Sequence, residues 1–199
     1  MTITLEMVLL VIASYLIGNI SPSILLAKRQ NIDIRKSGSG NAGTTNALRV
    51  LGKKAAIITL VVDILKGTIV VLIAGNIAGQ FVAELCTVAV FTGHVWPVCF
   101  GFKGGKGVAT VFGALMGLNP LLGLCALGVV IVGVLISKRM SAGSILGALS
   151  FPILAYLLQP TFLVPGSVMA ALLIFKHRAN IVRIVKGEEP KLFGKGRSK

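Results

Sequence analysis

Read as a pattern of apolar and polar positions, the chain divides into hydrophobic stretches at 4–26, 55–75, 81–98, 107–136, 141–158 and 162–175, joined by polar connections. Each approaches or exceeds the roughly 20 apolar residues that a helix needs to cross a bilayer. Stretch 107–136 is too long for one ordinary span. It carries Gly117, Asn119 and Pro120, which interrupt a helix, so it splits into a short helix near 108–117 and a full one after it. The short piece rises only about 15 Å at the helical pitch and should begin in a loop-lined depression. The start lacks a basic n-region and a small-residue cleavage site, so 1–26 reads as the first helix rather than a signal peptide. The pattern predicts an all-α, polytopic membrane protein of about seven transmembrane helices, forming a single domain over 1–199.

Composition agrees. Hydrophobic residues make up 55% of the chain and charged ones 13%, with a mean hydropathy of +0.91; soluble domains are usually about 45–50% apolar. The basic residues then orient the helices. With the N-terminus outside and the C-terminus cytoplasmic, every Lys and Arg except Lys66 falls on the cytoplasmic side, in 28–54, 97–106, 138–139 and 176–199. The net charge of +14 therefore reads as positive-inside topology. It favours anionic membrane lipids and anionic substrates, and no aromatic stacking platform accompanies it that would suggest nucleic acid. Cys86, Cys99 and Cys125 stand singly in apolar surroundings and read as core residues. With His94 and His177 far apart and no acidic cluster, neither a metal nor a cofactor is expected.

This topology puts three unusual segments on one side. The first, 37–49, reads Ser-Gly-Ser-Gly-Asn-Ala-Gly-Thr-Thr-Asn-Ala-Leu-Arg. Its glycines let backbone N–H groups approach an oxyanion, and Ser37, Asn41, Thr44, Thr45, Asn46 and Arg49 add side-chain donors. In the second, 93–110, Lys103 and Lys106 alternate with Gly104 and Gly105 just before the short helix, whose N-terminus favours phosphate. The nucleotide P-loop spacing fails, and no strand precedes it. The third, 176–190, reads as an extension of the last helix that presents His177, Asn180 and Arg183 on one face. Each segment alone has a structural reading: snorkelling cations, close helix packing or helix caps. Three together favour a binding site.

Other charges have plainer readings. Asp63 and Lys66, three residues apart within the second helix, should neutralise each other. Glu84 reads as interfacial and solvated. Glu188 and Glu189 read as screening the basic tail, with Glu188 the one to orient an arginine.

The three segments, 37–52, Gly-His-Val-Trp-Pro with Phe-Lys-Gly-Gly-Lys-Gly-Val-Ala-Thr over 93–110, and His-Arg-Ala-Asn-Ile-Val-Arg over 177–183, resemble the bacterial acyl-phosphate:glycerol-3-phosphate acyltransferase family, in the same order and over nearly the whole chain. The resemblance implies an enzyme of phospholipid biosynthesis in the bacterial cytoplasmic membrane, with its site facing the cytoplasm. It would transfer a fatty acyl group from acyl phosphate to the 1-hydroxyl of glycerol 3-phosphate, giving lysophosphatidic acid and phosphate. Carried onto this sequence, it implies catalytic roles for Lys106, His177 and Asn180. It implies substrate binding by Ser37, Gly38, Gly40, Asn41, Thr45, Asn46, Arg49, Lys103, Gly104, Gly105 and Arg183. His94 reads as either catalytic or an organiser of its turn.

Acyl phosphate is already activated, so no acyl-enzyme is required, and the chain offers no obvious triad. A His-x4-Asp dyad is absent too, since Cys99 and Val182 stand at those positions. Hydroxyl activation would fall to His177 or to the departing phosphate. A transporter of phosphorylated metabolites is the main rival. It should line the membrane with polar groups to the outer face, whereas only Asp63 and Lys66 lie deep. A non-catalytic lipid-binding scaffold would bind headgroups without turnover.

Overall fold

The structure, a computed structural model, describes residues 3–192. Lys195, Arg197 and Lys199 of the basic tail lie outside the described residues. Among those described, every regular element is helical: α1 (Leu5–Gly18), α2 (Pro22–Lys28), α3 (Thr44–Val50), α4 (Lys53–Ala78), α5 (Gln80–Val95), α6 (Val108–Leu118), α7 (Pro120–Ser137), α8 (Met140–Leu158), α9 (Leu163–Lys176) and α10 (Arg178–Val185). Four helices are long and apolar enough to cross a membrane: α4, α5 with the turn that follows it, α7 and α8. The bent pair α1–α2 makes a fifth candidate. Both α6 and the 160–176 segment are apolar but shorter.

The first apolar stretch differs from the single helix expected over 4–26. It bends by 42° between α1 and α2, and the cause is local. Pro22 opens α2; having no N–H, it cannot donate to the Gly18 carbonyl four residues back, and its ring would clash there. The predicted short helix is found as α6, ended at Asn119.

The described residues form two compact units, divided after Pro120. In the first, α4 packs against α5 and α6, and α1 against α5. Glycines allow the closest crossings: a methyl built on Gly18 would stand 3.0 Å from the Gly93 Cα, and one on Gly67 would stand 2.7 Å from the Ala114 nitrogen. A small core of Ile24, Ala27, Ile34, Ala42, Ala47 and Ala56, backed by Ile32, Leu51 and Phe100, lies under the 29–43 connection. That connection is long, yet its apolar residues are anchored between α2, α3 and the start of α4. In the second unit α8 packs against α9, with Phe151 and Phe162 edge to face at 6.3 Å.

Two expectations about single residues change. Glu84 is buried rather than solvated. Of the cysteines only Cys86 is buried; Cys125 is half-buried and Cys99 exposed, Cys99 lying in the single 3-10 turn, Val98–Phe100, that follows α5.

Candidate active site

The first glycine-rich segment is held by one amide. Asn46, buried in the first turn of α3, donates from Nδ2 to the Ile34 carbonyl at 3.1 Å and the Ser37 carbonyl at 2.9 Å, and its Oδ1 accepts from the Ser39 N–H at 2.8 Å. Asn46 thus shapes the cradle with its own hydrogen-bonding groups. Gly38 has φ of +60°, and a methyl there would collide with Asn46 Oδ1, so both the backbone and the space require glycine. Ser37 Oγ donates to the Asp33 carbonyl at 3.0 Å. Gly38, Gly40 and Arg49 are exposed, and Asn41 and Thr45 half-buried. Upstream, Arg35 donates to Asp33 and, at 3.2 Å, to the Phe100 carbonyl, tying this segment to the turn after α5. Hydrogen bonds from the Arg35 side chain and backbone hold the Asp33 carboxyl below its ordinary value.

The second segment folds back on the end of α5. The Gly104 N–H donates to the Val95 carbonyl at 3.3 Å and the Gly105 N–H to the His94 carbonyl at 3.2 Å. Those two amides are engaged within the protein. Beside them Lys103 is exposed and Lys106 half-buried. Close approach explains Gly105: a methyl there would stand 2.8 Å from the Ala42 carbonyl oxygen and overlap His94 Nε2. The first and second segments therefore meet at Ala42 and Gly105. Thr44 and Thr110, in the first turns of α3 and α6, each have a buried hydroxyl with no hydrogen-bond partner in the protein.

Beneath Gly105 lies a polar cluster in the apolar interior. Lys66 Nζ is 2.7 Å from Asp63 Oδ1, as the spacing in the sequence suggested. It also donates to the Ile20 carbonyl at 2.7 Å and the Gly18 carbonyl at 3.1 Å, and lies 2.9 Å from His94 Nδ1. All three side chains are buried. Lys66 thus takes up the carbonyl that Pro22 leaves without its helical donor. The sequence signal was the ion pair alone; His94 and the α1–α2 break join it only through the tertiary fold.

In the second unit, His177 ends α9 and precedes α10, so the expected continuous helix breaks there. Its Nδ1 is 2.9 Å from the Leu173 carbonyl. Asn180 Nδ2 donates to Glu189 Oε1 at 2.7 Å, Arg183 Nε to Glu189 Oε2 at 2.7 Å, and Ser141 Oγ to Glu189 Oε1 at 2.6 Å. The carboxylate that organises this segment is therefore Glu189 and not Glu188, which is exposed. Glu189 is buried rather than on the tail's solvent face, because the chain turns at Gly187, φ +72°, and aims the next-but-one side chain back at α10 and α8.

Burial would raise the Glu189 carboxyl, but the hydrogen bonds from Ser141, Asn180 and Arg183 outweigh it and hold the group below the ordinary value of 4.5. A depressed folded value stabilises the protein above pH 4.5, and that contribution is lost as the pH falls through the folded value. Glu189→Gln is expected to cost about 1.5–3 kcal/mol at neutral pH, the range for a hydrogen bond to a charged group, and to flatten the acid limb of the melting profile. Thermal melts of both proteins from pH 7 downward check this; an unchanged acid limb would remove Glu189 from the stability balance.

Comparisons with known proteins agree over almost the full length. The sequence profile of the glycerol-3-phosphate acyltransferase family matches residues 8–187. The chain is 45% identical over 188 residues to the glycerol-3-phosphate acyltransferase of Thermoanaerobacter sp. (strain X514), covering 93% of this chain and 95% of that one. It is 42% identical over 196 residues to that of Clostridioides difficile (strain 630), covering 93% and 95%. Its fold is similar to crystal structures of PlsY (YgiH), an integral membrane glycerol 3-phosphate acyltransferase. The TM-score is 0.89 for the glycerol 3-phosphate form and 0.86 for the lysophosphatidic acid form, at 37% identity and with 95% of this chain and 96% of that one covered. This all-helical integral membrane protein belongs to the glycerol-3-phosphate acyltransferase family.

Proposed function

We propose that the enzyme takes acyl phosphate as its donor and transfers the acyl group to the 1-hydroxyl of glycerol 3-phosphate, releasing lysophosphatidic acid and phosphate for phospholipid synthesis. The observation that carries this reading is the meeting of the two glycine-rich segments at Ala42 and Gly105, with Lys103 and Lys106 flanking the contact. Both substrates bear phosphate, and cations set beside tightly folded backbone suit that charge. The glycerol 3-phosphate and lysophosphatidic acid forms of the PlsY structures support the acceptor and the product.

In the reaction the glycerol oxygen bonds to the acyl carbon, the bond from that carbon to the bridging phosphate oxygen breaks, and phosphate leaves with the electron pair. Lys106 and Lys103 stabilise the departing charge. Ser37, Asn41, Thr45 and Arg49 bind phosphate, within a segment whose shape depends on Gly38, Gly40 and Asn46. His177 accepts the hydroxyl proton. The Leu173 carbonyl can only accept, so His177 Nδ1 carries a proton and Nε2 keeps the lone pair that a base requires. Asn180 and Arg183, set by Glu189, orient polar groups of the substrate.

The bent pair α1–α2 with α4, α5, α6, α7, α8 and α9 makes seven spans in this reading, in one acyltransferase domain. The N-terminus lies outside and the site faces the cytoplasm of a bacterial inner membrane, as the basic connections favour. Purified protein incubated with synthetic acyl phosphate, with and without glycerol 3-phosphate, is expected to form lysophosphatidic acid and phosphate in equal amounts, and only with the acceptor. Product from acyl thioester but not from acyl phosphate would overturn the donor assignment.

A further inference from the structure

The cluster of Asp63, Lys66 and His94 lies outside the roles assigned above, and its geometry constrains one proton. An ammonium group has donors and no lone pair. His94 Nδ1, 2.9 Å from Lys66 Nζ, must therefore be the acceptor. Protonated Nδ1 would face Lys66 with a like charge or an opposed N–H, and its alternative partner, Asp63 Oδ1, is farther away at 3.4 Å. The neutral ring then carries its proton on Nε2, the atom that packs against Gly105. The other two Lys66 N–H groups go to the Gly18 and Ile20 carbonyls, and Asp63 Oδ1, 2.7 Å away, supplies the opposite charge. The His94 main chain is tied to the same turn, since its carbonyl accepts from the Gly105 N–H. The close crossing of α1 and α5 at Gly18 and Gly93 brings the α1 end beside His94.

We propose that Asp63 and Lys66 are positioning residues of the acyltransferase: they hold His94 as its Nε2–H tautomer against Gly105, and so fix the turn that carries Lys103 and Lys106. The kinetic part rests on the reading that this turn binds substrate phosphate; the tautomer stands without it. A buried ion pair that served only to join helices would be replaceable by neutral residues of similar size at no cost to catalysis. Here the ammonium also fills the one lone pair that selects the ring proton, which a neutral side chain without a donor leaves vacant.

The tautomer is read first, by nitrogen NMR of the histidine-labelled protein in bilayers. A His177→Asn variant assigns the two rings. The wild type is expected to show His94 protonated at Nε2 and His177 protonated at Nδ1. A His94 protonated at Nδ1 overturns the proposal, whatever the enzyme's activity. The second measurement uses Asp63→Asn with Lys66→Met, which removes both buried charges together. Its melting temperature is expected to fall, because the Gly18 and Ile20 carbonyls lose their donor, while in the folded enzyme KM for acyl phosphate rises about tenfold and kcat changes less, the pattern of lost binding. An unaltered His94 spectrum and unaltered KM in that variant would reduce the pair to a helix anchor. An inactive wild type with the expected spectrum would sink the functional reading and leave the tautomer standing.

Discussion

Replacing Lys106 by alanine is expected to lower kcat/KM by about 10²–10³-fold, the loss seen when one preorganised group facing developing charge is removed. Three observations set that size. Lys106 sits between Gly105, docked on Ala42, and Gly107, which caps α6 at φ +87°, so its backbone is held on both sides. It is half-buried, which leaves its charge less screened than that of a surface lysine. It also precedes a helix N-terminus, whose dipole adds to its pull on an anion. With the Gly104 and Gly105 amides engaged by α5, the loss has no evident substitute among them. Lys186→Ala, on an exposed position of the tail, should change the rate little. Initial rates over a range of acyl phosphate concentrations test the contrast. A Lys106→Ala enzyme within twofold of the wild type would take this residue out of the site.

The second large effect is expected at His177. His177→Ala should lower kcat by about 10²–10⁴-fold with KM little changed, as loss of a general base does. The side chain is buried and its ring is fixed through the Leu173 carbonyl, the preorganisation that the proposed base requires. The same bond closes the C-terminal end of α9, so the variant's melting temperature must be read beside its rate. Near-normal turnover at saturating substrate in a folded variant would instead hand the proton to the departing phosphate. The two variants separate charge stabilisation from proton transfer, because Lys106 carries no proton in the proposed reaction and His177 no phosphate.

Much of the architecture was legible in the chain because spanning a bilayer imposes length and polarity on every segment. The short α6 before Asn119 and Pro120, and the long apolar runs of α4, α7 and α8, follow from that constraint alone. The break at Pro22 was present in the sequence but masked by the unbroken hydrophobicity around it; hydropathy reports solvent preference, whereas the bend depends on a missing N–H. Polar partners were less legible. Asp63 and Lys66 share a helix, so their spacing announces the pair, but His94 comes from α5 and the accepting carbonyls from the end of α1. Asn46 reads as one more donor in a donor-rich run; only the folded loop shows its amide joining Ile34, Ser37 and Ser39. Glu188 and Glu189 are adjacent and chemically alike, and the turn at Gly187 decides which of them faces Asn180 and Arg183.

The Lys66 bonds to the Gly18 and Ile20 carbonyls also bear on how the chain enters its membrane. An isolated charged residue at the centre of a span costs about 2.5–3.5 kcal/mol to insert, and α4 carries two. Synthesis delivers α1 and α2 first, so the acceptors for Lys66 are already in the bilayer when α4 arrives. The dependence runs both ways, since the broken first span holds carbonyls that lipid cannot satisfy until the ammonium reaches them. Neither segment is a self-sufficient span. Donor and acceptors lie on separate segments, so the α1–α2 segment and α4 are each expected to insert better in the presence of the other.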